Sequence, residues 1–257
     1  MRSSRRVTRG LGFGVDIGGS GIKGAPVDLT TGTFTAERAR VKTPQPSTTK
    51  AVAEAVAEIV ANFGRRAGRR PVGVTFPAVI QHGVARTAAN VDRSWIDTDV
   101  DAVMTEVLGR SVHVVNDADA AGLAEVRYGA ARGVRGVVFL ATLGTGIGSA
   151  LLVDGQLVPN TELGHLELDG VDAETRAAAS VRENESLGWQ AWAARLQRYF
   201  SAVEDLLWPD LIVVGGGVSK RADKFLPLLD LRTPIVPATL RNEAGVVGAA
   251  LLAAELG

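Results

Sequence analysis

The chain has 257 residues, 46% of them apolar and 22% charged, with 28 Lys and Arg balancing 28 Asp and Glu, and it contains no cysteine. That length suits two lobes of about 100–150 residues, each able to bury its own core. Balanced charge leaves no global field to recruit nucleic acid or a membrane surface, while the missing cysteines exclude disulfide frameworks, thiol catalysis and cysteine-ligated zinc and fit a reducing cytoplasm.

The first residues carry Arg2, Arg5, Arg6 and Arg9 without an apolar core or cleavage pattern. They read as a solvated tail rather than a secretory signal. Next, "GVDIGGSGIKGAPVDL" (14–29) sets the pattern G-x-G-x-x-G at Gly19, Gly21 and Gly24 behind an apolar strand. A dinucleotide site would need a helix to open at the last glycine, because the pyrophosphate sits on that helix N-terminus. Here Ala25-Pro26-Val27-Asp28-Leu29 runs on into Thr30-Thr31-Gly32, so the glycines join strand to strand. A glycine hairpin gathers backbone N–H groups round an anion, and Asp16 at its mouth would repel that anion unless a cation lay between. The pattern points to Mg²⁺ and phosphate.

Between Thr48 and Arg65, Val52, Val56, Ile59, Val60 and Phe63 form a helical stripe. Pro71 to Ile80 reads as a strand, Asp101 to Leu108 as a helix, Ser111 to Val115 as a strand and Ala118 to Tyr128 as a helix. The stretch from Gly136 to Val153 is uncharged, but Gly144-Thr145-Gly146-Ile147-Gly148 breaks it into a hairpin of Val137–Thr142 and Ile147–Val153 rather than a membrane span. A helix from Trp189 to Leu207, a strand from Leu211 to Val214, a helix within Lys220 to Leu229 and a C-terminal helix from about Glu243 complete the chain. Strands alternating with helices predict an α/β fold. Gly19–Ala25 and Gly144–Ala150 share the form G-[ST]-G-I-x-x-A, half a chain apart, as two similar lobes with a phosphate hairpin each would require.

Three further clusters carry polar chemistry. Asn116, Asp117 and Asp119 fall between a strand and a helix: one of them, Asp119 by this reading, caps the helix. A carboxylate at the carboxyl end of such a strand equally serves as a general base. In "NTELGHLELDG", Glu162, His165 and Glu167 are close together; a hydrogen-bonded polar cluster, a metal site and a sugar site are all open on residue type alone. "LIVVGGGVSK" leads a strand into Gly215-Gly216-Gly217 and Lys220, either an anion-binding helix start or a plain turn.

Jointly these features resemble the sugar-kinase/actin/Hsp70 superfamily and, within it, the ROK family. The D-x-G-G-T-x-x-K signature stands as Asp16 to Lys23 with Ser20 in place of Thr, "LGTGIG" as Leu143 to Gly148, and "ExGH" as Glu162 to His165. The segments "TFPAVIQHGVARTAANVDRSWI", "NTELGHLELDG" and "LLWPDLIVVGGGVSKRADKFLPLL" are similar to polyphosphate glucokinases of that family. The resemblance implies a two-lobed actin-like ATPase (ribonuclease H-like) α/β fold with an active-site cleft between the lobes. Its N-terminal lobe would span 1–115, with the helix of about 241–257 packing back on it, and its C-terminal lobe 116–240.

The resemblance further implies transfer of a phosphoryl group from polyphosphate, or ATP, to O6 of glucose, with Mg²⁺ held by Asp16 through water. Asp117 lands on the catalytic base, and Asn116, Asp117, Glu162, His165 and, by its E-x-x-A spacing, Glu174 on sugar-binding positions. Gly18, Gly19, Ser20, Gly21, Lys23, Gly144, Thr145, Gly146, Gly215, Gly216 and Lys220 would join Asp16 at the donor. Many ROK members follow the G-H pair with a cysteine-rich zinc motif; this chain has "LELDGVDAETRAAAS", so zinc is not carried over, and the missing cysteines loosen the alignment at Glu174. A cytoplasmic homodimer acting on glucose, with mannose as a further acceptor and without nucleic acid or membrane, follows from the same likeness. The alternatives are an ATP-only hexokinase for glucose or mannose and a non-catalytic sugar sensor. A repressor is not expected, because the residues before Gly14 leave no room for a helix-turn-helix module.

Overall fold

The computed structural model describes residues 10–88 and 91–257, so the four arginines at the extreme N-terminus lie outside the described residues. In chain order the strands are β1 (Leu11–Gly18), β2 (Gly21–Asp28), β3 (Thr33–Phe34), β4 (Ala39–Val41), β5 (Val72–Phe76), β6 (Ile80–Gln81), β7 (Val84–Ala85), β8 (Val112–Asn116), β9 (Val137–Leu143), β10 (Ile147–Val153), β11 (Gln156–Val158), β12 (Glu167–Leu168), β13 (Val171–Asp172), β14 (Leu211–Gly215) and β15 (Ile235–Pro237). The helices are α1 (Thr49–Phe63), α2 (Val100–Leu108), α3 (Asp117–Tyr128), α4 (Glu174–Ala177), α5 (Ala179–Asn184), α6 (Trp189–Leu207) and α7 (Ala244–Leu256). They divide into two compact units, Met1–Ala120 with Gly245–Gly257, and Ala121–Ala244.

The first unit is built on a six-stranded sheet in the order β3-β2-β1-β5-β8, with β4 also on β2. β1 and β2 are antiparallel and pair Gly18 with Gly21, so Gly19 and Ser20 form a two-residue turn; β5 and β8 then add in parallel. Every residue of β5 is buried, as a parallel strand covered on both faces requires. Thr48 starts α1 by accepting the Ala51 N–H, and the helix buries Val52, Val56 and Ile59. Helix α7 is apolar on all sides because it lies inside: Val246, Val247, Ala249, Ala250 and Ala253 are at most 1% exposed. It runs against the sheet at backbone distance. A Cβ at Gly14 would stand 1.9 Å from the Val246 carbonyl oxygen, and one at Gly73 1.8 Å from that of Ala249.

In the second unit a five-stranded sheet has the order β11-β10-β9-β14-β15. Its plan repeats the first: an antiparallel glycine hairpin, β9–β10, followed by parallel β14 and β15. The repeated G-[ST]-G-I stretch thus marks the same place in both sheets, with Ile22 and Ile147 each buried directly after the turn. Helix α6 packs Trp192, Leu196, Tyr199, Phe200 and Val203 against this sheet. The helix expected within Lys220 to Leu229 is instead two 3₁₀ segments, Gly217–Lys224 and Leu226–Leu228, with Arg221 at non-helical φ −114° and ψ 25°. The backbone breaks at Arg221 and again at Phe225, at φ −132° and ψ −32°, while Pro227 stands in the first turn of the second segment, where a missing N–H is tolerated. Among the described residues no helix is long and apolar enough to cross a membrane.

Candidate active site

Asp16 sits on β1 directly opposite Lys23 of β2. Its Oδ1 accepts from the Thr75 hydroxyl at 2.8 Å, and its Oδ2 lies 3.6 Å from Lys23 Nζ. Thr75 Oγ1 in turn accepts the Ile17 N–H at 3.3 Å, so neighbouring strand β5 fixes the carboxylate. A single held carboxylate beside a glycine turn suits a hydrated Mg²⁺, which keeps most of its waters and takes one or two carboxylates plus phosphate oxygens. The donor set therefore fits that ion. Arg40 on β4 adds a cation that motif spacing does not flag: its Nε lies 2.7 Å from where a Cβ on Gly21 would stand. Glycine there leaves room for the guanidinium against the turn.

At the end of β8, Asn116 rather than Asp119 caps α3. Its Oδ1 accepts from the N–H groups of Ala118 and Asp119 at 2.8 and 3.2 Å, and its Nδ2 donates to the Ala78 carbonyl at 3.1 Å. Asp119 is not at the cap position: it is the third residue of α3, its own N–H is one of those that Asn116 accepts, and it is buried at 1% exposure. Asp117, the first residue of α3, is exposed, and its Oδ1 accepts the Ala118 N–H at 2.9 Å. The strand end thus pins the asparagine and presents the aspartate to solvent.

The E-x-G-H segment of the second unit is sewn under β10. Ser149 donates to the Thr161 carbonyl at 2.6 Å and accepts the Leu163 N–H at 2.9 Å. A Cβ at Gly164 would stand 1.9 Å from the Ile147 carbonyl oxygen, so glycine is required between the glutamate and the histidine of the E-x-G-H motif. Beyond it, Asp169 and Gly170 take φ of 57° and 78° in the turn that folds β12 onto β13. That hairpin pairs Asp172 with Glu167 and brings its Oδ2 to 2.7 Å from His165 Nδ1. Glu174 joins them: its Oε1 is 3.9 Å from His165 Nδ1 and its Oε2 accepts the Ile147 N–H at 3.0 Å, directly after the second glycine turn.

The hydrogen bond that Asp172 accepts from His165 raises the His165 pKa above the usual imidazole value, burial working against it and the charges of Glu174, Asp172 and Glu162 with it. Burial pushes the Glu162 carboxyl up, partly offset by His165 and reinforced by Glu174. Side-chain atoms of His165, Asp172 and Glu174 all lie within 4.8 Å of one another, so the imidazole is flanked by carboxylates. Glu167, the other acid of the segment, is exposed on β12, where its backbone pairs with Asp172.

At the second glycine turn, Gly144 N–H bonds the Gly146 carbonyl at 3.0 Å, and Ser180 ties down the Thr145 and Gly144 carbonyls at 2.6 and 3.0 Å. Gly216 has φ 82°, and a Cβ there would lie 2.2 Å from the Leu143 carbonyl oxygen, so the β14 turn packs on the second hairpin. Lys220 is exposed on the 3₁₀ segment that follows. Sequence reasoning missed Thr75, Arg40, Ser180 and Asp172. Only Asp172 left a readable signal, since Asp169-Gly170 between Leu168 and Val171 is a hairpin signature that places the next residue back beside the G-H pair.

A model of the ROK family matches residues 12–181. The chain is 54% identical over 245 residues to a polyphosphate glucokinase of Mycobacterium tuberculosis, covering 95% of this chain and 91% of that protein. It superimposes on the inorganic polyphosphate/ATP-glucomannokinase of Arthrobacter sp. strain KM with a TM-score of 0.92 at 61% identity, covering 97% of this chain and 100% of that one. A ROK family glucokinase of Streptomyces griseus, solved with glucose and AMPPNP, shares the fold with a TM-score of 0.83 at 24% identity, over 96% of this chain and 100% of that one.

Proposed function

The chain belongs to the ROK family and is a polyphosphate-dependent glucose kinase, and we propose that Asp117 is its catalytic base. Asp117 takes the proton from glucose O6 as that oxygen bonds to the terminal phosphorus of the donor and the bond from phosphorus to the shortened chain breaks. The exposure of its carboxylate at the carboxyl end of a parallel strand, directly after a fully pinned Asn116, carries this reading. Asn116, Glu162, His165 and Glu174 hold sugar hydroxyls. Asp16, Lys23 and Lys220 serve the phosphates with the backbone of Gly18, Gly19, Ser20, Gly21, Gly144, Thr145, Gly146, Gly215 and Gly216, and Arg40 joins them at the first turn. Asp16 would hold Mg²⁺, which would supply charge neutralisation at the donor phosphates.

ATP as a second donor and mannose as a second acceptor are supported by the name of the Arthrobacter enzyme. Cytoplasmic location accords with the cysteine-free composition. A homodimer accords with the exposure of Leu206 and Trp208, and sedimentation tests it. The activity rests on identity along nearly the whole chain. Its test is glucose 6-phosphate formation by nucleotide-free enzyme with polyphosphate or ATP as sole donor. Product from polyphosphate is expected. Product from ATP alone would leave an ATP-only hexokinase, and product from neither a sugar sensor.

A further inference from the structure

A neutral imidazole offers one donor and one acceptor, and the partner of one nitrogen decides which role the other plays. His165 is half-exposed, and its Nδ1 is engaged by Asp172 Oδ2 at 2.7 Å. Asp172 is itself held on three sides. Its Oδ1 accepts the Glu174 N–H at 3.1 Å, its carbonyl accepts from the Thr175 hydroxyl at 2.6 Å, and its backbone pairs with Glu167 across the β12–β13 hairpin. A carboxylate so fixed accepts only, so the Nδ1 proton stays on the ring.

We propose that Asp172 is a positioning residue for glucose: it holds neutral His165 as the Nδ1–H tautomer, leaving Nε2 to accept a hydrogen bond from a sugar hydroxyl. This rests on the reading that His165 meets the sugar, and assigns to Asp172 a role that the motif does not contain. The charged groups facing the ring are Asp172 on β13, Glu174 on α4 and Glu162 before it, all acidic. They hold the imidazolium form to higher pH than an isolated histidine. In that form Nε2 carries a proton and can no longer accept. Glucose KM therefore rises as pH falls through the raised His165 pKa.

Two readouts on the full-length protein test this. The chain has three histidines, so nitrogen-15 imidazole spectra compared with those of His165→Gln identify His165 directly. Wild type should show the Nδ1–H tautomer, and Asp172→Ala should lose it, with the His165 pKa moved down. In Asp172→Ala the acid-side rise in glucose KM should shift to lower pH by the same interval. KM above that inflection should increase about tenfold, the loss expected when one hydrogen bond to a polar ligand is spoiled, while kcat at saturating glucose stays within about threefold. An unchanged tautomer, or a changed tautomer with an unmoved KM profile, would overturn the proposal. If His165→Gln itself leaves glucose KM unchanged, the underlying sugar reading fails instead. Should Asp172→Ala not fold, Asp172→Asn, which keeps the shape without the charge, decides by the shift of the same inflection.

Discussion

Asp117 and Asn116 are adjacent in sequence but differ in what the fold asks of them. Asp117 opens α3 with its side chain exposed, so Asp117→Asn, which keeps the shape, should keep the structure yet remove the proton acceptor. Its kcat is expected to fall by about 10²–10⁴-fold with glucose KM little changed, and turnover within about threefold of wild type would sink the assignment. Asn116→Ala takes the side-chain partner from the Asp119 N–H and the Ala78 carbonyl and leaves the Ala118 N–H to Asp117 alone. A stability loss of about 2 kcal/mol or more, read by denaturant unfolding, is expected from the lost cap and the buried polar groups. His165 adds a pH term. Its folded pKa is raised, so its contribution is complete below the ordinary imidazole value and is lost as pH rises through the raised one. Thermal midpoints of wild type should decline across that window more than those of Asp172→Asn.

Elements were legible where local chemistry decides them. The stripe from Val52 to Phe63 and the cap at Thr48 define α1, and Trp189–Leu207 is the span read for α6 from its period alone. The 3₁₀ segments after Gly217 were not, because apolar spacing does not distinguish them from α-helix and the breaks at Arg221 and Phe225 carry no sequence signal of their own. Within the candidate site, the two glycine turns, Asp16 and the E-x-G-H histidine carried signals of spacing. Thr75, Arg40 and Ser180 did not, since each reaches its partner across strands or loops far apart in sequence. That the C-terminal helix packs back on the first unit followed from the family resemblance, but its closeness was unreadable: "GFGVD" and "VGVTF" look like ordinary strands, although Gly14 and Gly73 are fixed by the helix backbone above them. Gly14→Ala or Gly73→Ala should therefore cost about 3 kcal/mol or more, since backbone rather than a side-chain tip must move. Gly188→Ser is the control. A Cβ there meets nothing within 4 Å and serine is a good residue before α6, so its denaturation midpoint should hold or rise.

For the whole molecule, a net charge of zero means that a long polyanion must be held by a local stripe of cations rather than by an overall field. The second unit offers candidates beyond those serving one triphosphate. Lys220, Arg221, Arg132 and Arg135 are exposed, while Lys224 is partly neutralised by Asp223 at 3.3 Å and Arg221 lies 5.8 Å from the Trp189 ring centroid. Exposed charges of this kind are screened over about 8–10 Å near physiological ionic strength, and each added phosphate contact increases the salt sensitivity of binding. Glucose is neutral and meets a short-range hydrogen-bonding site, so salt has little to act on there. Across a salt series with the enzyme at fixed Mg²⁺, polyphosphate KM should rise steeply, ATP KM less steeply because fewer phosphates are held, and glucose KM hardly at all. Replacing Arg132 and Arg135 together by Gln should flatten the polyphosphate slope and leave the ATP slope in place. Equal slopes for the two donors in wild type would show that polyphosphate is gripped only at its end, and that these cations are solvated surface.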